Sequence, residues 1–152
     1  MEIVEITQLQ AACQQLDRAM ILVLEEKDYV SAVTLACATE SMIGEYLREC
    51  GTEGMTDILK GSLHKITGEE LSQKAINDQY INNLRNFLKH ARPDPRAKES
   101  FGMQHEAINA VVRAFGNIAL LDELLPVSSS RFFAWFRSEF PELIEEAKNA
   151  PL

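Results

Sequence analysis

Residues 28–50 read DYVSAVTLACATESMIGEYLREC, and this stretch decides the fold. Stepping about 100° per residue puts Tyr29, Val33, Ala36, Cys37, Ile43, Gly44 and Leu47 on one stripe of a helix. Asp28 is placed to cap its N-terminus. Cys50-Gly51-Thr52-Glu53-Gly54 is placed to stop it. Small residues at Ala32, Ala36, Ala38 and Gly44 allow a second helix to approach closely. One residue conflicts with the pattern: Glu40 falls in the middle of the apolar stripe. A carboxylate there is costly unless it has a partner. Two outcomes fit. Either Glu40 reaches a rim, a tyrosine or a backbone group, or it holds a cation of a functional site from a neighbouring helix.

The same reading extends in both directions. Thr7 caps a first helix to about Lys27, with Leu9, Ala12, Cys13, Leu16, Met20, Val23 and Leu24 at helical spacing. Thr56 or Asp57 starts a short helix that ends near Thr67-Gly68, and Thr67 with Glu70 fits a capping box. A long helix follows, with a break near Asn77-Asp78 and an end at Arg92-Pro93. Another runs from about Met103 to Leu125, stopped by Pro126. Ser128, Ser129 or Ser130 caps a helix through Phe140, and Pro141 opens a last one to about Ala150. Strand-like alternation is nearly absent. The expectation is one all-α domain over residues 1–152, an antiparallel bundle of four main helices with short additions. Its core spans about residues 7–125. Residues 128–150 supply C-terminal helices that pack on the bundle or at a dimer interface. The aromatic run RFFAWFRSEF, Arg131 to Phe140, is too apolar to stand free in water.

Composition narrows the function classes. A chain of 152 residues suits one domain burying roughly 70% of its unfolded surface. Fifteen Lys and Arg against 23 Asp and Glu give a net charge of −8, which argues against a broad nucleic-acid or membrane coat. No uncharged run exceeds 11 residues, as in Tyr29 to Thr39, short of the roughly 20 that span a bilayer. The acidic start MEIVEITQ carries no cationic signal region. Three widely spaced cysteines, Cys13, Cys37 and Cys50, suggest reduced thiols and a cytoplasmic setting. No cofactor or metal is expected: HExxH, ExxH, GxGxxG, GxxxxGK[ST] and GxSxG are all absent. His64 does not match a phosphotransfer histidine, because Lys60-Gly61 precedes it instead of following it.

The basic charge is concentrated elsewhere. From Lys74 to Lys98 there are six Lys or Arg against Asp78 and Asp94, a local +4, so the remainder sums to −12. Within it, Ile81, Leu84, Phe87, Leu88 and Ala91 form an apolar stripe. Asn82, Arg85, Asn86, Lys89 and His90 form the opposite face. Arg85 stacks on Lys89 and Asn86 on His90, four residues apart. Arg can clamp a phosphate with two parallel hydrogen bonds, His exchanges protons near neutrality, and Asn can orient an imidazole. With a ribose 2′-hydroxyl as nucleophile such a set needs no metal. The plain alternative is a solvated polar face with cations at a helix C-terminus.

Arg85-Asn86-Phe87-Leu88-Lys89-His90 resembles the signature of the HEPN superfamily: Arg, four to six residues, then His, often with Asn, Asp or His after the Arg. The resemblance covers roughly Lys27 to Leu125. DYVSAVTLACATE is similar to bacterial HEPN-like proteins of unassigned role. It implies a helical bundle that dimerises so that two motifs face one cleft, and a metal-independent endoribonuclease leaving a 2′,3′-cyclic phosphate. Carried onto this chain, Arg85 would stabilise phosphate charge, His90 would act as acid and base, and Asn86 would position substrate or His90. Local charge adds Lys89 and Arg92 as auxiliary phosphate contacts, and its place in the apolar stripe makes Glu40 a supporting residue that would hold a cation of the site. The HEPN toxin subgroup has Tyr two residues after the His, where this chain has Arg92. An antitoxin-like or regulatory protein partner and a nucleotide ligand are further expectations, as is a non-catalytic binding module of the same fold. No membrane partner is expected.

Overall fold

The computed structural model describes residues 3–67, 83–143 and 145, and they form an all-α structure. Helix α1 spans Gln8–Ile21, α2 Tyr29–Glu49, α3 Met55–Thr67, α4 Asn83–Lys89, α5 Met103–Ala119 and α6 Ser129–Glu139. No strand occurs among the described residues. The proposed break at Asn77-Asp78, the Thr67–Glu70 capping box and most of the long helix lie outside them. So does the tail beyond residue 145.

Capping chemistry sets the first two helices. The Thr7 hydroxyl accepts from the Gln10 amide at 3.1 Å, and the Gln10 side chain accepts from the Thr7 amide at 2.9 Å. This reciprocal box satisfies two donors that the helix start leaves open. Asp28 accepts from the Ser31 amide at 3.1 Å, and the Ser31 side chain first and this amide second lower its carboxyl from its ordinary value. Between the two helices the chain differs from an uninterrupted helix to Lys27. Leu22–Glu26 form one π-helical turn, and Lys27 takes a left-handed φ of 54°. The wider turn accompanies burial of both Leu22 and Val23, adjacent residues that a single narrow stripe would separate.

α2 lies at the centre and packs most extensively on α5, then on α1. Its buried residues are Ala32, Val33, Ala36, Cys37, Thr39, Glu40, Ile43, Gly44 and Leu47. They face Leu16 and Met20 of α1 and Ala107, Ala110, Val111, Ala114 and Ile118 of α5 in one core. Ala38, one of the four small residues, faces outward instead. Gly44 serves close approach: a Cβ there would stand 3.2 Å from the Asn117 side-chain nitrogen.

Two helix ends come earlier than the sequence predicts. α5 stops at Ala119 instead of near Leu125, and Asp122 takes a left-handed φ of 51°. The segment after it is tied to α1 instead: Cys13 Sγ donates to the Leu124 carbonyl at 3.3 Å, and Asp17 accepts from the Ser128 amide at 2.6 Å. α4 stops at Lys89, three residues short of Arg92. Pro93 bars Arg92 from helical dihedrals, and Arg92 instead stacks on the Phe87 ring and pairs with Glu99. In α6, Phe132 is fully buried and Phe133 meets Phe115 of α5 edge-on at 4.6 Å. The aromatic run therefore packs on its own chain.

Candidate functional site

α4 brings most of the motif to one place beside α2. Leu84 is buried in the core, which orients the helix. Phe87 rests on Phe101, with ring centroids 5.1 Å apart. Arg85 and Asn86 are half-buried, while Lys89 and His90 are exposed. The His90 amide still closes a helical hydrogen bond to the Asn86 carbonyl at 3.1 Å. Arg85 Nη2 donates to Ser41 Oγ of α2 at 2.5 Å, and Ser41 in turn donates to the Cys37 carbonyl. Ser41 therefore fixes a guanidinium on the helix that carries Glu40.

Two hollows meet at this contact. One, of about 370 Å³, lies between α2 and α4 over Val33, Cys37, Ala38 and Leu88, with Arg85 and Lys89 at its edge. The other, of about 250 Å³, is polar and lies among Glu40, Ser41, Arg48, Asp57, Lys60 and Arg85. Ser41 and Arg85 form the wall between them.

Glu40 is buried at 5% exposure, not placed at a rim. Its two carboxylate oxygens receive Arg113 Nε at 2.9 Å and Nη2 at 3.2 Å. Thr56 donates a further short bond to Oε1. The Glu40 carbonyl accepts from Asn117 Nδ2 at 3.1 Å, and Asn117 Oδ1 accepts from the Met55 amide at 2.7 Å. This network joins α2, α3 and α5. Of the two outcomes set by the sequence, Glu40 does hold an arginine of a neighbouring helix, but that arginine is Arg113 and not the motif residue Arg85. Sequence reasoning missed Arg113 and Asn117. The signal was present, since both interrupt the apolar stripe of AINAVVRAFGNIA four residues apart, as Glu40 interrupts its own.

The other residues divide. Lys89 joins Arg85 at the apolar hollow. Arg92 turns away to Phe87 and Glu99, and lines neither hollow. Arg85 and His90 are five residues apart, so about 140° separates them around the helix axis. Within one chain they stand at opposite edges of the polar face. Cys37 is no nucleophile: burial first, then the nearby Glu40 carboxylate, push its thiol up to about 11. Among the described residues no group of three or more His, Cys, Asp or Glu is arranged to hold a metal ion. No helix among them is long and apolar enough to cross a membrane. Compared with protein-family models, curated proteins and solved structures, the chain gives no match.

Proposed function

We propose that this chain is a HEPN-like, metal-independent endoribonuclease or RNA-processing domain, built as a four-helix antiparallel bundle and acting as a homodimer. The observation that carries the reading is Arg85, a guanidinium anchored by Ser41 at the meeting of two hollows, with exposed Lys89 and His90 within the next turn and a half. Arg85 neutralises charge developing on a scissile phosphate. His90 takes the proton of a ribose 2′-hydroxyl or returns one to the leaving 5′-oxygen. Asn86, four residues before His90, positions that imidazole or the substrate. Because Arg85 and His90 point to different sides of one helix, the reading requires two α4 ends to face each other, so that each copy completes the other's site. Glu40 supports from behind by holding α2, and with it Ser41, in register with α5.

RNA cleavage in the presence of EDTA tests this. The wild type is expected to yield 2′,3′-cyclic phosphate ends, and His90→Ala to lose at least about a hundredfold in rate. Equal activity of the two proteins overturns it. The second reading is a non-catalytic module of the same fold for protein or nucleotide binding. It is favoured by the polar hollow, where Glu40, Glu45 and Asp57 offset Arg48, Lys60 and Arg85, so that its described lining carries no positive surplus to draw an RNA strand. It predicts no cleavage at any protein concentration.

A further inference from the structure

The hollow between α2 and α4 has an uneven chemistry. Its floor is Val33, Cys37, Ala38 and Leu88, and its edge carries Arg85 and Lys89 one helical turn apart. Both hydroxyl protons among its described lining residues are already committed. Thr34 donates to the Val30 carbonyl at 2.9 Å, and Ser41 donates to the Cys37 carbonyl while accepting from Arg85. The Cys37 thiol stays protonated and neutral. A nucleobase here would find donors only at the edge, from Arg85 and Lys89, and would leave the part of its polar rim that lies over the apolar floor unpaired, a costly arrangement. An alkyl chain loses nothing by entering. At the edge, the planar fork of Arg85 matches a carboxylate, and Lys89 adds a second positive charge. The volume of about 370 Å³ falls in the range of small-molecule sites.

We propose that the α2–α4 hollow binds a free, single-chain fatty carboxylate of medium length, its tail over Val33, Ala38 and Leu88 and its head on Arg85 and Lys89. The bound head occupies the Arg85 guanidinium, so the carboxylate competes with a phosphate bound at that residue. Binding itself is independent of the ribonuclease reading and holds whether or not the protein cleaves RNA.

Titration calorimetry with decanoate below its micelle-forming concentration tests the site, using the full chain without RNA. Saturable binding is expected, with decanol and acetate each weaker by at least about tenfold, since one lacks the head and the other the tail. Ala38 is exposed, so Ala38→Phe fills the hollow without entering the core. It is expected to abolish binding while its thermal unfolding stays that of the wild type. Arg85→Gln is expected to weaken decanoate by about tenfold and to leave decanol unchanged. Equal binding of decanol and decanoate, undiminished binding by Ala38→Phe, or binding only to anionic lipid vesicles overturns the proposal.

Discussion

Glu40 and Ser41 are neighbours in sequence and belong to opposite electrostatic regimes. Glu40 faces α5, is buried, and has its carboxylate filled by Arg113 and Thr56. Ser41 lies about 100° further round the same helix and holds the half-exposed Arg85 at the edge of α4. Both contacts involve an arginine on another helix. In the interior, desolvation makes each charge dependent on its partner, so the pair acts structurally. At the edge, solvent screens the cation and leaves it able to meet an incoming anion. A motif search notices Arg85. The physics of burial assigns the larger share of the fold's dependence to Arg113.

The comparison can be broken at its strongest point first. Arg113→Ala leaves Glu40 charged and buried, and is expected to cost roughly 3–5 kcal/mol in urea unfolding. The double change Glu40→Leu with Arg113→Met is expected to recover most of that loss, because it removes both desolvated charges. A double variant no more stable than Arg113→Ala would mean that the network specifies the α2–α5 packing beyond its charge balance. Asn117→Ala strands the Met55 amide and removes a second donor from the Glu40 carbonyl, at about 1–3 kcal/mol by the same measurement. At the edge, Arg85→Ala is expected to change stability by less than about 1 kcal/mol while removing RNA cleavage. A stability loss as large as that of Arg113→Ala would erase the distinction between the regions.

The smallest effect concerns pH. The Asp28 carboxyl is lowered by its hydrogen bonds to Ser31, so its folded pKa lies below its unfolded one. Its stabilisation is therefore present above the ordinary carboxylate range and lost as pH falls through the depressed folded value. Thermal unfolding of Asp28→Ala and wild type should differ near neutrality and converge on acidification. Thr7→Ala, which breaks an uncharged cap, should keep its deficit of about 1 kcal/mol across the same range.

Legibility in the sequence followed the range of the interactions. The caps at Thr7 and Asp28 and the buried stripe of α2 were readable because they depend on residues within one or two turns. The end of α5 was misjudged because distant residues compete for the chain, and that of α4 because the dihedral restriction set by Pro93 reaches back into the residue before it. Pro93 bars Arg92 from the helix and Glu99 with the Phe87 ring holds it outside, while Asp17 and Cys13 bind the segment after Ala119. In the candidate site, the cationic face of Arg85 and Lys89 was readable from spacing. That Ser41 would anchor Arg85, and that Arg92 would pair with Glu99, was not, because neither follows from the local helix.

The sequence by itself determined an all-helical chain, a central helix with a misplaced carboxylate, and a basic helix end in an acidic body. These are consequences of periodicity and charge, which are properties of order along the chain. Tertiary structure alone decided which arginine answers Glu40. It also brought Ser41 and Arg85 together across 44 positions, and opened an apolar hollow beneath two cations. Those outcomes depend on how three helices share one interior, where a group's burial, and not its position in sequence, fixes whether its charge must be neutralised or can be offered to a ligand.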